Sequence, residues 1–83
     1  MEVILLMAGS ITHAQRMAAL LENRGLHATI ARAPVGVDPR GCGYGVKIRR
    51  AYGTQALDIL RHAGITVRGV YEYDGEKWRE VAL

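Results

Sequence analysis

One segment of this 83-residue chain joins a nucleophile to an open backbone: Arg40-Gly41-Cys42-Gly43-Tyr44-Gly45. It holds the sole cysteine and three of the ten glycines. A thiol flanked by glycines carries little steric cover, so reagents and backbone amides can approach its sulfur closely. The bland alternative is a glycine turn in which the thiol fills a small gap, since free cysteines are often buried. Arg40, Lys47, Arg49 and Arg50 bracket Cys42 in sequence, a local concentration within a formal net charge of +3. The other basic residues are scattered and read as solvated surface.

Other chemistries find less support. Ser10, His13 and Asp38 do not make a catalytic triad on spacing alone, and His13, His27 and His62 share no face that would hold a metal. Gly41–Val46 looks like part of a phosphate-cradling loop, but it opens a strand and not a helix. One cysteine cannot close an internal disulfide, so a reducing cytoplasm is the expected compartment. No apolar run approaches the roughly 20 residues of a membrane span. Met1–Ala8 is apolar, but Glu2 and the lack of a basic leader argue against a secretory signal. Nothing in the sequence asks for a metal or a cofactor. With 49% hydrophobic and 23% charged residues, the composition fits one small domain over residues 1–83.

The segment must be positioned by the elements around it. Glu2–Met7 reads as a strand buried on both faces. Ser10 or Thr12 can cap a helix whose apolar stripe is Ala14, Met17, Ala18 and Leu21, and Gly25 stops it. His27–Ala33 is a short β-capable run ended by Pro34, and Tyr44–Arg49 alternates as a half-buried strand. A second helix is expected over Gly53–His62, with Gly64 as its stop. Thr66–Tyr73 is the next strand, Asp74-Gly75 a two-residue turn, and Lys77–Val81 a terminal strand whose Trp78 can cover part of the sheet.

The expected architecture is α+β: a ferredoxin-like βαββαβ sandwich. It has a four-stranded antiparallel sheet, two helices on one face and a short C-terminal hairpin strand. The core spans about residues 2–73 and the terminal strand about 77–81. In this topology the Cys42 segment and the start of the first helix, residues 9–13, lie at the same end of the sheet. Ser10, Thr12 and His13 are then candidate neighbours of Cys42. A helix N-terminus and nearby cations favour the thiolate, the nucleophilic form.

With the Ser10-x-Thr12-His13 helix start, Gly41-Cys42-Gly43 and the aliphatic Val46 and Ile48 in place, the chain resembles the selenium/sulfur carrier protein-like family. The resemblance covers about residues 2–71 and departs in three ways. Ile11 separates Ser10 from Thr12, the run before Cys42 is rich in Gly and Pro, and the strand around Trp78 is an addition.

The resemblance implies a carrier more than a turnover enzyme. Cys42 would take sulfane sulfur or selenium from a donor protein and hand it to an acceptor. Gly41 and Gly43 would give access, Ser10, Thr12 and His13 support, and Arg40 with Lys47 attraction for acidic partners. The alternative is a regulatory or interaction module with a structural cysteine, with the open sheet face available for a homodimer. RNA binding is disfavoured, because the first strand carries no aromatic residue for stacking. No nucleic acid or membrane is expected as a partner.

Overall fold

The computed structural model describes residues 2–34 and 43–83. The elements run β1 (Val3–Ala8), α1 (Ile11–Asn23), β2 (Thr29–Arg32), β3 (Tyr44–Arg49), a 3-10 turn (Arg50–Tyr52), α2 (Gly53–His62), β4 (Gly69–Tyr73) and β5 (Trp78–Glu80). The strands form one antiparallel sheet in the order β2-β3-β1-β4-β5. This is the ferredoxin-like arrangement, with β5 added at the β4 edge.

Both helices end where glycine allows it. Gly25 and Gly64 sit at φ 83° and 74°. After α1, the Gly25 and Leu26 amides donate to the Glu22 and Leu21 carbonyls, and after α2 those of Gly64 and Ile65 donate to Arg61 and Leu60. Each pair is a Schellman closure, in which the residue after the glycine turns back onto the helix. Leu26 and Ile65 thereby join Leu21 and Leu60 in the main core.

That core lies between the helices and one sheet face. Ile4, Leu6, Val46 and Ile48 meet Met17, Leu21 and Leu60 there. Strand β1 is buried on both sides, as its unbroken apolar run implies. Its other face, Leu5 and Met7, packs with Ala31, Ala33, Tyr71 and Trp78. The terminal strand therefore extends the sheet while the Trp78 ring helps to cover the open face.

Three elements are shorter than their sequence patterns. Strand β2 starts at Thr29 because Glu22 draws the two preceding residues away: its Oε2 accepts from the Ala28 amide (2.9 Å) and lies 3.0 Å from His27 Nδ1. Strand β4 starts at Gly69, after a run in which the Thr66 carbonyl binds the His13 side chain. The turn before β5 centres one residue later than expected. Asp74 N–H donates to the Lys77 carbonyl (3.0 Å), which leaves Gly75, at φ 101°, and Glu76 as its middle residues.

Candidate functional site

The end of the sheet where β1 finishes and β3 begins gathers several of the predicted residues. Ala8 pairs with Tyr44, so Gly9-Ser10 and Gly43 continue from neighbouring strand ends. Ser10 is the α1 N-cap: its backbone is extended (φ −159°, ψ 168°) and its Oγ accepts from the His13 amide at 3.1 Å. This satisfies one of the first-turn amides that a helix leaves without an internal partner.

His13 Nε2 donates to the Thr66 carbonyl (3.0 Å), tying the first turn of α1 to the α2–β4 connection. A carbonyl can only accept, so this contact fixes the proton on Nε2. Thr12 is exposed on the same turn. Gly43 is buried, and its carbonyl accepts from the Ala33 amide at 2.8 Å. That bond closes the two described ends of the Pro34–Gly43 connection against each other. Arg40, Gly41 and Cys42 lie outside the described residues.

Ser10 and His13 thus have structural tasks that their sequence positions only partly announce. Capping was legible in Ser10. The His13–Thr66 contact links residues 53 positions apart, and no local pattern signals it.

Of the basic residues grouped around Cys42 in sequence, the described ones, Lys47, Arg49 and Arg50, follow β3 away from Gly43. Arg49 ends β3, five residues beyond Tyr44, or about 16 Å at ~3.3 Å per residue. Arg50 lies farther still and binds both carboxylate oxygens of Glu72. The hydrogen bond and attraction from Glu72 push the Arg50 pKa upward. Lys47 is exposed in the middle of the sheet, opposite Leu5.

Tyr44 shares the face of Val46 and Ile48, as the alternation of β3 implies. It lies on the helix side, packed against the main core, with the Arg32 guanidinium 5.7 Å from its ring centre. The aromatics of the open face are Tyr71, Tyr73 and Trp78, on β4 and β5. Tyr73 and Trp78 are cross-strand partners with ring centroids 5.4 Å apart at 52°. The alternation in Gly69–Tyr73 was the available signal for that cluster.

Among the described residues, no three His, Cys, Asp and Glu side chains form a metal-binding group, and no helix is long and apolar enough to cross a membrane. A family model described as "Putative Se/S carrier protein-like" matches residues 4–72. The chain belongs to this family. The match begins in β1 and ends in β4, so β5 with Trp78 lies beyond it. The Se/S carrier-like core therefore comprises both helices and the four ferredoxin-like strands. No curated protein and no solved structure matches the chain.

Proposed function

We propose that the protein carries sulfane sulfur or selenium on Cys42. The observation that carries this reading is membership of the Se/S carrier-like family over residues 4–72, a span that includes the only cysteine. The described geometry adds support. Gly43, the chain neighbour of Cys42, is fastened at the sheet end where α1 begins, and α1 directs its first-turn amides and positive dipole end there.

The chemistry is a thiol-exchange step. The Cys42 thiolate attacks the terminal sulfur of a donor persulfide, R–S–SH. The donor S–S bond breaks, the S–S bond of Cys42–S–SH forms, and R–S⁻ leaves. No external oxidant or reductant is needed. An acceptor nucleophile then attacks the same terminal sulfur and Cys42 leaves as thiolate. Selenium follows the same path from R–S–SeH. The partners of this reading are a donor and an acceptor protein, and Gly41 and Gly43 keep the sulfur accessible to both.

The test is intact mass after incubation with a persulfide donor. The wild-type chain is expected to gain one sulfur that reductant removes, and Cys42→Ser is expected to gain none. A wild-type chain that gains nothing, or a serine variant that gains as much, overturns the reading. Alkylation supplies a second check: the pH midpoint for native Cys42 is expected below the ~8.5 of an ordinary thiol.

A further inference from the structure

At the far end of β3 from Gly43, three cations meet different fates. Arg50 is held by Glu72, whereas Lys47 and Arg49 are exposed and have no ion pair or hydrogen bond among the described residues. Both point to the open face and line a groove of about 620 Å³ at the β2 edge of the sheet. That volume falls within the ~300–1,000 Å³ of small-molecule sites.

The groove exists because β2 is short. Its first residue, Thr29, pairs with Lys47, so Ile48 and Arg49 have no β2 partner. The chain that would have supplied one is held back by Glu22, which binds the Ala28 amide and the His27 ring. Val3, Leu26 and the half-exposed ring of Tyr52 form apolar walls, and Thr29 adds a hydroxyl. None of the described lining residues is acidic. Two unpaired cations at the mouth of a largely apolar groove match one kind of ligand.

We propose that this groove binds a small organic anion: a phosphate or carboxylate group on a flat apolar body. Lys47 and Arg49 take the anionic group, with the Thr29 hydroxyl as a further donor. Tyr52, Leu26 and Val3 receive the apolar body. The proposal uses none of the chemistry assigned to Cys42.

The experiment titrates the ¹⁵N-labelled full chain with 1-naphthyl phosphate and follows amide shifts. The expected result is saturable shifts confined to Val3 and residues 25–29 and 47–52. Lys47→Gln/Arg49→Gln should weaken binding by about tenfold or more, because charged hydrogen bonds are lost. Both side chains are exposed, so unchanged shifts elsewhere in the spectrum will report an intact fold, and each single variant should give an intermediate loss. Cys42→Ser should bind as the wild type does. The proposal is overturned if the shifts do not saturate at millimolar ligand, or if the double variant binds equally well. It also falls if inorganic phosphate binds as tightly as the naphthyl ester, because the apolar walls would then contribute nothing.

Discussion

The two faces of the sheet are built on different terms. Under the helices, Ile4, Leu6, Val46, Met17, Leu21 and Leu60 are wholly buried, and aliphatic side chains fill the space from both layers. On the other face Leu5 and Met7 are the buried hydrophobic side chains among the described residues, and the residues packed around them are themselves partly exposed. The first face has a second layer to complete it. The second has Ala31, Ala33, Tyr71 and Trp78, three of which sit on strands at or beside a sheet edge. Stability therefore resides mainly in the helix side, while the open side depends on a few well-placed rings and on close backbone approach.

That contrast predicts unequal truncation costs. Leu60→Ala should lower unfolding free energy by about 2–5 kcal/mol, the range for a large aliphatic removed from a packed core. Trp78→Ala should cost roughly 2 kcal/mol, below the ~3–5 kcal/mol of a fully buried tryptophan, because its side chain is only partly buried. Denaturant unfolding followed by far-UV circular dichroism measures both, since Trp78 itself cannot be the probe. Equal costs would break the distinction between the faces.

Backbone approach on the open face gives a narrower test. A Cβ at Gly45 would lie 2.7 Å from the Leu6 carbonyl oxygen, 3.0 Å from Leu5 Cδ1 and 3.1 Å from Met7 Sδ. The side chains can move, but the carbonyl belongs to the β1 backbone beside β3 and moves only with the ladder. Gly45→Ala is therefore expected to cost about 1–3 kcal/mol, as overpacking does. Gly9→Ala is the control. Its Cβ would meet nothing nearer than Arg68 Cδ at 3.6 Å, so its effect should stay within ~0.5 kcal/mol. Unfolding midpoints that do not separate the two glycines would remove close approach as a feature of this face.

The sequence made the main frame of this architecture readable because its signals are local. Gly25 and Gly64 end amphipathic stripes, and the alternation of Tyr44–Arg49 defines β3 from end to end. The misreadings came from interactions across the chain. Glu22 shortens β2, and the His13–Thr66 contact occupies the approach to β4. Alternation also divides a strand into two faces without saying which one the helices cover. Ser10 was legible as a cap from its place before the apolar stripe. Arg49 and Arg50, near Cys42 in sequence, lie at the far end of β3 from Gly43, because an extended strand carries neighbours apart by ~3.3 Å per residue. The role given to Cys42 rests on its glycine neighbours and on family membership, since it lies outside the described residues.

The smallest expected effect concerns the turn that positions Trp78 over the open face. Asp74 Oδ1 accepts from the Glu76 and Lys77 amides, both at 2.9 Å, and Oδ2 lies 3.2 Å from Arg79 Nε. The hydrogen bonds from Lys77 and Glu76, aided by the charge of Arg79, hold the Asp74 carboxyl below its ordinary pKa of 3.8. The folded chain therefore takes up this proton less readily than the unfolded chain. The stabilisation is complete above pH 3.8 and is lost as pH falls through the lower folded value. Asp74→Asn keeps an acceptor oxygen for the amides but cannot titrate. The wild type should be slightly more stable near neutral pH, and its advantage should shrink on acidification below about pH 4. Trp78 fluorescence at a fixed denaturant concentration, compared between the two chains across that range, isolates Asp74 from the other carboxylates. A constant difference would mean that the turn holds β5 without its charge, and that the open face depends on packing alone.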